Sequence, residues 1–456
     1  MKRLISLFFF IPFFSLSQSH NETFVNGFDK DSIDRISIAP FFVGHISSNQ
    51  IENNTSSFLA YGIDINSNLF QRIRLSSRIL KIEGDYNTEL KNYLDSMGVF
   101  PGMNKIDESI NYFSLNADYR INKNFHVRFG NGTNFIGNGY RSMLLSNNHA
   151  PYPFFTLITD FWKVKYYNHF TTFYDIYNSN QSQKKHGAFH YLDYQINKNL
   201  TIGLFEAIIW QSRDENFERG FDVHYLNPII FYRPVEFSKH SPDNALLGIN
   251  FDYQFKKVNL YGQLLIDDLN INRYENTGDG FFQNKLAFQI GVKSQFNINE
   301  HNFDVLTEYN QAQPYTYAHK HPMQNYTHMN QALAHPLGAN FKENIFIINH
   351  NYKKWGTSLK YTYAEYGADS VGTHYGQNIF ISDFLASGEG GEFSYGNYNG
   401  QGIFTHLHTL YAEVNYDLKY VKAFAACAFR NQTNKANNTY FVLGIKTGFI
   451  NPFIDF

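Results

Sequence analysis

The stretch from Ala245 to Asp268 sets the unit on which the chain is built. Leu247, Ile249, Phe251, Tyr253 and Phe255 alternate with Gly248, Asn250, Asp252 and Gln254. After Lys256-Lys257 the alternation resumes, with Leu260, Gly262, Leu264 and Ile266 set against Tyr261, Gln263, Leu265 and Asp267. Successive side chains of a strand point to opposite faces, so this is a hairpin with one apolar and one polar face. A soluble sandwich turns the polar face outward and buries the apolar one against a second sheet. An outer-membrane barrel does the reverse, with apolar side chains in lipid and polar ones lining a lumen.

The same period of two recurs in 18 segments. They lie near 36–46, 57–66, 70–82, 111–120, 124–131, 155–167, 168–177, 187–196 and 199–210. The second half supplies 245–256, 258–268, 283–296, 302–311, 343–352, 355–366, 407–418, 420–430 and 438–448. Every connection from an even to an odd segment is short. Examples are a turn at Asn66–Asn68, Ile-Asn-Lys-Asn at Ile121–Asn124 and again at Ile196–Asn199, and Lys256-Lys257. Connections from odd to even segments are mostly long: 83–110, 132–154, 211–244, 269–282, 312–342 and 367–406. Strict alternation of short turns and long loops is the mark of a barrel with periplasmic turns and extracellular loops. The last segment, with Phe441, Leu443 and Ile445 on one face, must pair with the first, because an open edge in lipid leaves backbone groups unsatisfied. The terminal aromatic Phe456 suits insertion by barrel-assembly machinery. The expected fold class is therefore all-β: a transmembrane antiparallel outer-membrane β-barrel of about 18 strands, with loop and helix segments filling the lumen. Asn87–Met97 reads as a capped short helix within one long loop, and Gly388–Gly402 as a turn-rich tip.

Composition sharpens this picture. The 456 residues include 46 Phe and 33 Tyr, an excess that aromatic girdles at two bilayer interfaces would absorb. An aromatic-rich soluble sandwich is the competing account. Mean hydropathy is −0.39, so no membrane helix is expected. Lys2-Arg3, an apolar core from Leu4 to Leu16 and Ser15-Leu16-Ser17 form a secretory signal peptide over 1–17, leaving a single barrel domain over 18–456. Cys427 is the only cysteine, which excludes a disulfide framework, a zinc knuckle and a lipoprotein anchor. Removing the leader takes the 38 basic residues to 36, against 40 acidic, a balance that argues against nucleic acid as a partner.

Several motifs resemble one family. Phe135-Ile136-Gly137-Asn138-Gly139-Tyr140-Arg141-Ser142-Met143-Leu144-Leu145-Ser146 is the longest of them. Pro151-Tyr152-Pro153-Phe154, Tyr225-Leu226-Asn227-Pro228, His335-Pro336-Leu337-Gly338-Ala339-Asn340-Phe341 and Asn451-Pro452-Phe453-Ile454-Asp455-Phe456 join it. Together, over most of the mature chain, they resemble the Wzi-like capsule-assembly outer-membrane barrels, in the RemB-like branch of gliding Bacteroidota. The resemblance implies an 18-stranded barrel whose pore is occluded by helical elements. It also implies a role in binding or organising surface polysaccharide.

The candidate site residues follow from charge and position. The glycines before Tyr140 and Arg141 lack the Gly-Lys-Ser/Thr ending and βα context of a phosphate loop. Either the loop folds into the barrel mouth, with glycines where backbone approaches closely, or Tyr140 stacks on a sugar ring while Arg141 forks onto a glycan carboxylate. Arg72, Arg74 and Arg78 fall on the lumenal face of the third segment. They either pair with Asp64 and Asp118 on its neighbours or attract an anionic polymer. By their motif His335 is either a packing or a glycan-facing residue, and Asn340 is a ligand-facing candidate. His319, His321, His328 and His335 share a loop, and metal ligands often sit at i, i+2, but a site needs a third or fourth ligand in place and a supporting shell; with Pro322 and Pro336 interrupting, loop hydrogen bonding is expected rather than metal. No Gly-x-Ser-x-Gly or strand-borne His-Ser pair marks an enzyme. The expectation is a non-enzymatic, cofactor-free, monomeric barrel in outer-membrane lipid that binds surface polysaccharide, with other surface proteins as further partners. A diffusion channel and an accessory subunit of a surface or secretion complex are the alternatives.

Overall fold

A computed structural model describes residues 35–103, 110–177, 182–213, 218–227, 243–268, 280–370, 373–384, 394–450 and 452–456. The leader 1–17, Pro228 and Asn451 lie outside the described residues, as does 388–393 of the turn-rich tip. The first half of the wall is β1 (Arg35–Asn49), β2 (Asn54–Leu69), β3 (Ile73–Glu83), β4 (Ile110–Arg120), β5 (Phe125–Gly132), β6 (Tyr152–Phe161), β7 (Val164–Asp175), β8 (Gln183–Gln195) and β9 (Leu200–Gln211). The second is β10 (Asn244–Phe255), β11 (Val258–Asp268), β12 (Lys285–Ile298), β13 (His301–Ala312), β16 (Phe341–Tyr352), β17 (Trp355–Ala368), β18 (Ile403–Asp417), β19 (Lys422–Gln432) and β20 (Asn438–Lys446). Between β13 and β16 a small hairpin, β14 (Thr327–His328) with β15 (Gln331–Ala332), stands apart from the wall.

Each wall strand is antiparallel to the next, and β20 returns to β1 in register from Val43↔Lys446 to Asn49↔Tyr440. The 18-stranded sheet is thus closed, with no edge left unpaired. Ile249, Leu264, Phe288, Ile290 and Leu443 point outward and are exposed. Asn250, Gln263, Gln289, Glu308 and Asn310 point inward and are buried. Apolar outside and polar inside is the inverse of a soluble sandwich: this is a transmembrane barrel of the outer-membrane kind. Among the described residues no helix is long and apolar enough to cross a membrane.

The helix expected in the first long loop is α1 (Thr88–Met97). Asn87 caps it by accepting from the Leu90 N–H at 2.9 Å, and Gly98 closes it at φ 69°. It lies against the wall, where Leu90 joins Phe58 and Ile82. Glu89 accepts from Asn438 (2.5 Å) and Tyr440 (2.7 Å) of β20.

Three expectations are corrected. Asn66–Asn68 is not a turn: Asn66 faces Ser76 and Asn68 faces Arg74 inside the β2–β3 ladder. The chain reverses at 70–72 instead, with Phe70 and Gln71 both at φ 54°, so Arg72 precedes β3 rather than lying on it. The break between the sixth and seventh segments falls at Trp162-Lys163, not at 167/168, with Trp162 at φ 58°. Neither turn uses Gly or Pro, because a bilayer rim favours aromatic and basic residues where a soluble turn would not. The terminal Phe456 lies beyond the last strand, which ends at Lys446. Residues 447–450 leave the wall where the Thr447 N–H donates to the Phe42 carbonyl (2.7 Å), and residues 452–456 lie in the lumen, placing the Phe456 ring 5.9 Å from Tyr93.

The inside-out arrangement predicts a depth-dependent cost. Ile290→Arg, in the middle of β12, should destabilise the barrel by about 2–4 kcal/mol, whereas Ile298→Arg at the rim should cost about 0–1 kcal/mol. Urea unfolding in lipid vesicles measures both.

Candidate functional site: the plugged lumen

The glycine-rich segment after β5 does not stay at the mouth. It runs along the inner wall, where polar side chains of β11–β13 bind its backbone as a neighbouring strand would. Gln263 donates to the Ile136 carbonyl (2.8 Å) and accepts from the Met143 N–H (2.7 Å). Gln289 donates to the Arg141 carbonyl (2.8 Å), and Lys293 to that of Asn138 (3.0 Å). Glu308 accepts from the N–H groups of Tyr140 (2.7 Å) and Arg141 (3.0 Å). Gly137, at φ 127°, explains its residue type: a Cβ there would stand 2.1 Å from the Gln263 amide nitrogen.

Arg141 sits at the centre of the resulting knot. Its Nη2 reaches Glu343 Oε1 at 3.2 Å and Asp455 Oδ1 at 3.0 Å, and its guanidinium lies 4.9 Å from the Tyr140 ring centroid. Lys360 Nζ donates to Asp455 Oδ2 (2.6 Å) and to the Tyr140 hydroxyl (3.0 Å), which itself donates to Asp455 (2.7 Å). Burial works to raise the Asp455 carboxyl, but Arg141 and Lys360 overcome it and hold that group far below its ordinary 3.8. His335 completes the knot. Its Nε2 donates to Glu343 Oε2 at 2.6 Å while Nδ1 accepts from the Leu337 N–H at 3.2 Å, which is the pattern of a neutral ring. Burial lowers its pKa against the pull of Glu343. The knot ties the loop after β5, the strands β16 and β17, and the tail residues 452–456 to one another.

The remaining candidates are placed elsewhere. Asn340, at φ 56°, donates to the carbonyls of Gly367 (3.0 Å), Tyr375 (3.2 Å) and Gln401 (3.0 Å), and accepts from the Gly400 N–H (2.7 Å). It fastens the β17–β18 loop to the β13–β16 loop. Arg78 forms a two-pronged pair with Asp64 (2.6 and 2.9 Å) beside Phe41. Arg74 donates to Asn68 (3.3 Å), and Arg72 is exposed in its turn. Asp118, expected opposite this ladder, pairs with Arg128 of β5 at 2.6 Å. The loop histidines have separate settings. His319 and His321 sit ring to ring at 6.0 Å, and His328 lies between the Tyr174 N–H and the Pro151 carbonyl.

Two groups of residues escaped the sequence reading. Glu308, Glu343, Lys360 and Asp455 carry the knot; their only signal was charge at an inward strand position or in the terminal motif. At the long-loop end, Tyr177, Tyr395 and Tyr398 present exposed rings. The Tyr177 ring stacks on Phe380 at 5.1 Å, and its hydroxyl accepts from Asn378 (3.3 Å). Tyr395 rests on Phe281 at 5.3 Å.

Removing one cation from a buried pair costs on the order of 3–5 kcal/mol. Arg141→Gln should therefore free residues 447–456, seen as faster hydrogen exchange there while the heat-modifiable gel mobility of the barrel persists. The pH dependence has a definite sign. A carboxyl whose folded pKa is depressed contributes stability that is complete above its unfolded value and is lost as pH falls toward the folded one. Protection of the tail should hold from neutrality down to about pH 5 and fall only below the ordinary 3.8.

No protein-family model and no curated protein matches this sequence. Among solved structures the barrel is similar to Wzi of Escherichia coli, an outer-membrane protein involved in group 1 capsule assembly and a carbohydrate-binding β-barrel. The identity is 14% and the TM-score 0.57, over 89% of this chain and 83% of that one. OprD of Pseudomonas aeruginosa matches at 11% identity and a TM-score of 0.46, over 92% and 96% of the two chains. A BenF-like porin from Pseudomonas fluorescens Pf-5 matches at 10% and 0.48, over 92% and 99%. At these identities the likeness to Wzi is one of architecture, and it agrees with the strand count, closure and inverted polarity: the chain has the fold of an 18-stranded outer-membrane barrel.

Proposed function

We propose that this chain is a plugged, non-enzymatic outer-membrane barrel that binds or organises surface polysaccharide with its extracellular loops. In this reading it is a member of the RemB-like, motility-linked branch of the Wzi-like barrels and needs no cofactor. The observation that carries the reading is the lumen. Arg141, Glu343, Lys360 and Asp455 tie two separate plug segments to the wall, in a barrel otherwise wide enough to conduct. Tyr177, Tyr395 and Tyr398 offer at the outer mouth the flat apolar rings that stack on sugars, and Asn378 beside Tyr177 supplies an amide for hydroxyl groups. The carbohydrate binding ascribed to Wzi supports the same reading.

Two measurements test it. Purified protein in planar bilayers should show no steady conductance; stable ohmic steps would favour the diffusion-channel alternative. Changing Tyr177, Tyr395 and Tyr398 to Ala should weaken retention of polysaccharide on cells while heat-modifiable barrel mobility is kept. Unaltered retention would remove these rings from the proposal.

A further inference from the structure

The outer wall is not evenly convex. Around β16–β20, three rows of outward side chains rise from the short-turn rim. The first row is Tyr352, Trp355, Tyr416 and Ala423, successive partners across the strands. The second is His350, Thr357, Val414, Ala425 and Leu443, and the third Ile348, Leu359, Ala412, Cys427 and Phe441. Ala412, Ala425 and Cys427 are small where their neighbours are large. An apolar groove of about 590 Å³ is cut there, bounded by Phe303, Leu359, Val414 and Phe441.

The rim beneath the groove has a different chemistry. Trp355 and Tyr416 pack edge to face at 4.8 Å, the aromatic girdle expected at headgroup depth. The two turns below it carry Lys353, Lys354 and Lys419, each with its ammonium over a tyrosine ring at 4.9, 6.0 and 5.0 Å. Glu300 lies 3.5 Å from Lys353, whereas among the described residues the ammonium groups of Lys354 and Lys419 form no ion pair; the nearby Asp417 is engaged by the backbone, its carboxylate accepting from the Lys419 N–H at 2.7 Å. Short turns mark the periplasmic side, so the groove opens into the inner leaflet of the outer membrane.

We propose that this groove is a binding site for an inner-leaflet glycerophospholipid with an anionic headgroup. One acyl chain lies over Ala412, Ala425 and Cys427, and the headgroup phosphate sits at Lys354 and Lys419. A hollow in a lipid-facing wall forfeits dispersion contacts on every lining atom until something flexible and apolar fills it. The cations then select the headgroup, each lysine near the surface favouring an anionic lipid on the order of fivefold.

The full chain in mild detergent, offered phosphatidylglycerol or phosphatidylethanolamine of identical acyl chains, tests this by native mass spectrometry. Phosphatidylglycerol should be retained preferentially, and Lys354→Gln and Lys419→Gln should each reduce the preference on the order of fivefold. Ala425→Phe, which fills the groove from an outward position, should remove the adduct of either lipid while heat-modifiable mobility is kept. Should that variant fail to fold, the two lysine variants in exposed turns still decide the outcome. Equal retention of both lipids by the unaltered protein overturns the proposal. So does an adduct indifferent to Ala425→Phe, or a dimer mass that this substitution abolishes, which would give the groove to a second copy.

Discussion

A backbone in hydrocarbon has no water to turn to, so every N–H and C=O must find its partner within the sheet. The pairing of β20 with β1 meets that demand, and the rest of the molecule follows from it. Alternation along each strand puts apolar side chains in lipid and leaves polar ones no direction but inward. A ring of this many strands is wide enough to leave an aqueous channel. Here the inward groups are turned to another use. Gln263, Gln289 and Glu308 hold the backbone of the loop after β5 in place of water.

Burying charge in that interior is costly, several kcal/mol per ion even after relaxation, and only good geometry offsets it. The knot meets the condition by balance. Two carboxylates, Glu343 and Asp455, face two cations, Arg141 and Lys360, and His335 stays neutral to donate to the second oxygen of Glu343, which also accepts from the Asn310 amide at 3.0 Å. Glu308 follows a different route. Among the described residues it forms no ion pair but accepts from the N–H groups of Tyr140 and Arg141, the Tyr261 hydroxyl (2.8 Å) and the Asn310 amide (2.8 Å).

The wall was legible in the sequence because lipid and lumen demand opposite chemistry on alternate residues. That demand is local, so a period of two and the parity of loop lengths recover strand number, closure and the inward face. The errors fell where local chemistry misleads. Asn66-Ser67-Asn68 looks like a turn yet runs on inside the β2–β3 ladder, while Phe70 and Trp162 look like strand yet turn the chain. The interior was legible only in part. The glycines before Tyr140 signalled close backbone approach, but nothing local says that Arg141 meets Asp455, 314 residues away, or Glu343, 202 away. Exposure of Tyr177 or Tyr398 depends on how several loops fold together, and no single segment encodes it.

The strands that hold the knot also shape the outer surface, and this coupling limits how the wall can change. On β17, Lys360 points inward to Asp455 while Leu359, its neighbour, points outward to Ala412. On β16, Glu343 reaches Arg141 while Ile348 borders the outer groove. A slip of one residue in β16–β18 would carry every one of these side chains to the opposite face. It would put Lys360 in hydrocarbon and Leu359 among the buried ions in a single step. Lipid and ion pairs therefore specify the same register independently, and a substitution tolerated by one environment is still policed by the other.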